Sequence, residues 1–197
     1  MRRCTIVMAD AGPLNSLWVA GRLDLLLALS MPVVIVDAVY DEVTSDPRYL
    51  KDREVKAFVD RNRPPFVIPA TDIGAGERAR RARAQKPKKN AGELAILDFM
   101  SSDDGLAAYV APGDPVAILF EDAALRIFNK PPNLHLLSTI GMLHGLERVG
   151  VIPSAEEIIL AMTRPTLPGR KRSDARSFTD PPGRIDEPAA IGSFWTP

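Results

Sequence analysis

Apolar residues in this chain fall in short unbroken runs, and between the runs they recur every three or four positions. Residues 4–9, with β-branched Thr5, Ile6 and Val7, form the first run and read as a buried strand. Gly12-Pro13 supplies a turn, with proline suited to a first helical position, and Leu14, Leu17, Trp18 and Leu25 follow at near-helical spacing. Residues 33–36 form a second run, and Asp37 stands where it would cap the short helix behind it. Residues 51–62 carry Val55, Phe58 and Val59 on one face and stop before Pro64-Pro65. Residues 66–69 make a brief extended piece. Asn90 and Glu93 have the spacing of a capping box ahead of Leu94, Ile96, Leu97 and Met100. Residues 116–120 read as a third long strand, ending in Glu121-Asp122 and running into a helix. A short strand and a helix within residues 133–152 follow. A last helix begins behind Ser154, with Glu157 at the box position.

Strands and helices therefore alternate. That order predicts an α/β domain with a mainly parallel central sheet covered on both faces, a three-layer α/β/α sandwich. From Arg164 the periodicity stops and proline, glycine and arginine take over, so residues 1–163 read as the domain and 164–197 as an irregular or disordered tail.

Composition adds limits to this picture. The 197 residues suit one domain with an extension, and the 46% apolar share supports a real core. Lysine plus arginine and aspartate plus glutamate each number 25, so any nucleic-acid site must be local and not announced by global charge. The single cysteine, Cys4, rules out an intrachain disulfide and reads as a small buried hydrophobe. The apolar run near the start is broken by Asp10, too soon for a signal peptide or a membrane span. A cytoplasmic protein without a membrane partner is the expectation.

The candidate chemistry lies at the ends of the strands, where ligands gather in parallel sheets. Asp10 ends the first strand; Asp37, Asp41 and Glu42 follow the second; Glu121-Asp122 ends the third; Glu93 opens a helix. His135 and His144 are not spaced as zinc ligands. An all-oxygen cluster suits Mg²⁺ or Mn²⁺, which would neutralise the acids and face phosphate oxygens. Each acid also has a plainer reading. Asp10 could cap its helix, Glu93 could belong to the box with Asn90, and Glu121-Asp122 could sit on a helix dipole. The basic stretch 78–89, with Arg78, Arg80, Arg81, Arg83, Lys86, Lys88 and Lys89, reads either as an RNA-backbone approach or as a solvated charge run. Gly74-Ala-Gly76 is too short for a dinucleotide fingerprint.

The blocks "VMADAGPLNSLWVAGRLDLL", "VVIVDAVYDEV", "NAGELAILDF", "AILFEDAALRIF" and "GMLHGLERVGVIPSAEEII" resemble, in order and spacing, those of PIN-domain proteins. The resemblance runs from about residue 5 to 162. It implies a PIN-like fold and a divalent-metal-dependent ribonuclease, with Mg²⁺ or Mn²⁺ as cofactor and RNA as substrate. Asp10, Glu42, Glu93 and Asp122 then match the catalytic acids, with Asp10, Glu93, Glu121 and Asp122 as the metal set. Arg126 matches an arginine that often follows the last pair, and joins Arg81 and Lys88 as substrate-binding residues. Many such proteins are toxins of type II toxin–antitoxin pairs, which implies a small antitoxin partner; a homodimer is compatible with the domain's size. The Glu-Asp pair departs from the Asp-Asp or Asp-Glu usual in the family, and the tail is longer than the family needs. Both departures motivate an alternative, a catalytically inert PIN-shaped module that binds RNA or protein.

Overall fold

The computed structural model describes residues 6–102, 104–121 and 133–178. Five strands and seven α-helices alternate along them: β1 (Ile6–Ala9), α1 (Ala11–Ala20), β2 (Val33–Val34), α2 (Asp37–Thr44), α3 (Leu50–Arg61), β3 (Phe66–Val67), α4 (Asp72–Ala82), α5 (Ala91–Ser101), β4 (Val116–Phe120), β5 (Leu134–Ser138), α6 (Thr139–Arg148) and α7 (Ala155–Thr163). The strands form one sheet in the order β3-β2-β1-β4-β5, and every pairing is parallel. The α/β reading and the parallel pairing are thus both present. All five residues of β4 are buried, which is why this strand reads as continuous apolar sequence and not as an alternation. Leu14, Leu17, Leu25, Leu26, Ile35, Val39, Ile96, Ile118 and Leu119 lie at the centre of the core, each essentially inaccessible. No helix among the described residues is long and apolar enough to cross a membrane.

Local details depart from the sequence reading, each for a physical reason. Gly12-Pro13 makes no turn: α1 opens at Ala11, and Pro13 is its third residue, where a missing N–H removes no intrahelical bond. Asp37 does not act as a cap outside its helix. It is the first residue of α2, and Val36 holds the capping position. Asn90 is in the left-handed region at φ 58° and makes no side-chain cap, so the Asn90–Glu93 box does not form. The last helix keeps half of its expected box: Ser154 Oγ accepts from the Glu157 N–H at 3.3 Å. The basic stretch begins inside a helix, α4, that the apolar pattern hides because only Gly74 in it is buried. Its signals are polar: Thr71 Oγ1 accepts from the Gly74 N–H at 2.9 Å, Asp72 lies in the first turn, and Arg80 and Arg81 lie in the last.

Residues 164–178 are irregular, as expected, apart from a single 3₁₀ turn at Arg172–Asp174. They nevertheless dock on the domain. Arg170 stacks over the Trp18 indole at 4.5 Å, donates to the Trp18 carbonyl from Nε and Nη2, and pairs with Glu54 at 3.0 Å. The Trp18 indole N–H donates to the same Glu54 carboxylate at 2.8 Å. Indole, guanidinium and carboxylate lock the returning segment to α1 and α3. The rest of the expected tail, residues 179–197, lies outside the described residues.

Candidate functional site

The strand order sets the location. Successive pairings run outward from β1 through β2 to β3 on one side, and through β4 to β5 on the other. The sheet direction therefore switches between β1 and β4, and a crevice outside the carboxyl ends of two such strands is where open parallel sheets bind ligands. Asp10 follows β1 directly and its N–H continues the ladder to the Leu119 carbonyl at 3.0 Å; Glu121 follows β4 directly. A cleft of about 850 Å³ opens there.

Six carboxylates line it: Asp10, Asp41, Glu42, Glu77, Glu93 and Glu121. They come from the ends of β1 and β4 and from α2, α4 and α5. Two glycines permit the approach. A Cβ on Gly92, in the first turn of α5, would meet Val39 at 3.1 Å, Glu42 Oε2 at 3.5 Å and Asp10 Oδ1 at 3.7 Å. A side chain there would fill the space in which these two acids meet. A Cβ on Gly12 would press on the Glu121 side chain at 2.9 Å, so α1 reaches β4's end only because that position is bare.

Three of the six acids are held by partners. Asp41 accepts from Arg78 at 3.5 Å, and Glu77 accepts from the Lys88 N–H at 3.0 Å. Glu121 accepts from Thr139 Oγ1 at 2.6 Å and from Arg176 Nη2 at 2.7 Å. The other three, Asp10, Glu42 and Glu93, have no side-chain partner among the described residues. Asp10 is the N-cap of α1 yet makes no side-chain cap, so the plainer reading of that acid fails on geometry. Glu93, freed of the box with Asn90, faces the cleft instead.

The electrostatics follow. Burial pushes the Asp10 carboxyl up from 3.8 to about 7, its backbone bond to Ala11 opposes this, and the charges of Glu93, Glu42 and Glu121 add to the rise. Glu42 is likewise raised, first by burial and then by Glu93, with Lys51 opposing. These acids repel one another from partly desolvated positions, and a cation would relieve all of them together. No three His, Cys, Asp or Glu side chains among the described residues are already drawn to the spacing of a metal site.

The cleft has cationic walls. Arg81 and Lys88 line it on the α4 side. Arg78 does not join them: its guanidinium lies 2.6 Å from the buried Asp37 carboxylate. Arg80 pairs with Glu77 at 3.5 Å. Two residues that the sequence reading passed over complete the lining. Asn15 Oδ1 is buried beside the acids without a hydrogen-bond partner, one turn on from Asp10. Arg176 arrives from the returning segment, with Ser177 and Phe178. Asn15 was visible as a polar residue on an apolar helix, whereas nothing local marks Arg176. Asp122 and Arg126 lie outside the described residues, so Glu121 is the described member of its pair.

Comparison with protein-family models, curated proteins and solved structures finds no match to this chain.

Proposed function

We propose that the chain is a divalent-metal-dependent ribonuclease with a PIN-like three-layer α/β/α architecture, the toxin of a toxin–antitoxin pair. The observation that supports this reading is the meeting of Asp10, Glu42 and Glu93, mutually repelling and without a side-chain partner among the described residues, beside Glu121 at the switch point of a parallel sheet. The donor set fits Mg²⁺ or Mn²⁺. It is all oxygen, carries excess negative charge, and includes the orphaned Asn15 Oδ1. Asp10, Glu42 and Glu93 would hold the ion, with Asn15 and Glu121 as further oxygens. When bound, such an ion acts as a Lewis acid on the phosphodiester and lowers the pKa of a coordinated water.

The chain's own residues supply the rest. Arg81 and Lys88 attract RNA phosphates to the cleft mouth. With the ion held by Asp10, Glu42 and Glu93, the water it activates would pass its proton to a cleft carboxylate outside that set or to solvent. The partner set follows from the same reading: RNA as substrate, a small antitoxin protein as inhibitor, and the cytoplasm as the place of action.

The test is cleavage of RNA with and without Mg²⁺ or Mn²⁺, in the wild type and in Asp10→Asn. Metal-dependent cleavage that falls by about three orders of magnitude in the variant is expected, the several kcal/mol that a metal ligand contributes. Cleavage that ignores both metal and substitution overturns the reading. The inert-module alternative draws on the Arg176–Glu121 pair, which already neutralises one acid. Mn²⁺ titration followed by thermal unfolding separates the two, since a filled site raises the melting temperature and an inert cleft leaves it unmoved.

A further inference from the structure

The returning segment does more than cover apolar surface. We propose that Arg176 is a phosphate-binding residue of the cleft, delivered to it by the segment 164–178 acting as a fixed strap. The proposal rests on the reading of the cleft as a nuclease site and adds to it a residue from beyond the part of the chain that carries the resemblance.

Three observations carry it. The first is the anchoring of the strap away from the cleft. Arg170 is held by the Trp18 ring, the Trp18 carbonyl and Glu54, and its side chain is only 12% exposed. Leu167 fills the space over Gly21. Nearer the site, the Arg176 N–H donates to the Met162 carbonyl at 3.0 Å. The strap therefore stays in place whether or not Arg176 holds an acid, which distinguishes a wall from a removable plug.

The second is the geometry of the guanidinium. Nε donates to Ser16 Oγ at 3.0 Å and Nη2 donates to Glu121 Oε2 at 2.7 Å. A guanidinium carries five N–H donors, and two of them are engaged among the described residues. The Arg176 side chain is 33% exposed and lines the cleft, while Glu121 beneath it is 10% exposed. The guanidinium thus holds an acid of the cleft while its side chain stays partly open to it, and its planar fork suits an oxyanion.

The third is placement. Arg81 and Lys88 stand on the α4 side of the cleft and Arg176 stands on the β4 side, with the unpaired acids between. A phosphodiester seated over Asp10, Glu42 and Glu93 meets a cation on either flank. An acidic floor alone would repel that ligand; fixed arginine on the far wall offsets the repulsion without a mobile lysine's ordering cost.

The experiment is fluorescence-anisotropy binding of a short labelled single-stranded RNA to the full chain in Ca²⁺, across a range of salt, for wild type, Arg176→Ala and Arg176→Lys. Arg176→Ala is expected to weaken binding about tenfold and to lessen the slope of log K against log salt by about 0.7, the loss of one phosphate contact on a single strand. Arg176→Lys keeps the charge and is expected to keep the slope. Melting curves run beside each titration confirm that the variants fold. If wild type binds in a Ca²⁺-dependent way and Arg176→Ala keeps its slope, Arg176 touches no phosphate and the proposal is overturned while the site reading stands. Tighter binding by Arg176→Ala overturns it too, because the strap is then a plug. If wild type binds no RNA with or without Ca²⁺, the site reading itself fails and takes the proposal with it.

Discussion

Asp10 and Asp37 follow neighbouring strands of one sheet, and each is 6% exposed, yet their surroundings could hardly differ more. Asp37 is saturated. It accepts from Thr71 Oγ1 at 2.7 Å, from the N–H groups of Thr71 and Ala38 at 3.1 and 3.0 Å, and from Arg78 at 2.6 Å. Those bonds tie the start of α4 to the start of α2. Among the described residues, Asp10 accepts from the Ala11 backbone alone and faces three other acids. Burial does not by itself separate a structural carboxylate from a reactive one; the number of donors supplied to it does. One acid stabilises the fold, and the other is held at a cost that a ligand can relieve.

Substitutions sharpen that contrast. The largest effect belongs to Asp10→Asn, measured without divalent metal. Because the folded carboxyl titrates near 7 and the unfolded one near 3.8, the folded state retains a proton across that window, and wild-type stability falls as pH rises through it. Asparagine mimics the protonated acid at every pH. The variant is therefore expected to match wild type at pH 4 and to exceed it at pH 8 by up to about 4 kcal/mol, at 1.36 kcal/mol per pKa unit. Urea unfolding at the two pH values checks this, and equal stability at pH 8 would contradict the account of Asp10.

Asp37→Ala should move the other way. It strands the Thr71 hydroxyl and removes the nearer of Arg78's two acidic partners, at a cost of about 3 kcal/mol. A neutral or stabilising result in the same urea experiment would erase the distinction between the two acids. Gly74→Ala probes that cage from outside. A methyl at position 74 would fall inside the Asp37 carboxylate, whose four bonds prevent it from yielding, and a loss of about 2 kcal/mol is expected. A melting temperature unchanged from wild type would mean that the cage is loose.

Much of the fold was legible because a strand such as β4, buried along its whole length, betrays itself as an unbroken apolar run. Asp10, Glu93 and Glu121 were legible for the same reason: the ends of such runs, and the helix starts beside them, form a single rim. Helix α4 was not, since its exposed surface carries no apolar stripe and its two glycines argue against helix. The failure of the Asn90 cap was also out of reach, because the left-handed backbone at φ 58° is set by the chain's entry into α5 and not by the S/T/N-x-x-E spacing. Arg176 was the most hidden. Its partner Ser16 is 160 positions away, and in an arginine-rich tail one arginine looks like another. The anchor of Arg170 on Trp18 and Glu54, with the bond from the Arg176 N–H to the Met162 carbonyl, fixes which of them reaches the cleft.

That long return has a consequence for synthesis. The acids that line the cleft have all been made once the chain has passed β4, but the guanidinium beside Glu121 belongs to a residue 55 positions further on. A nascent chain still tethered to the ribosome thus displays the acids without their last cationic neighbour. The cationic wall comes later, when the segment carrying Arg176 emerges and meets Trp18, Glu54 and Met162.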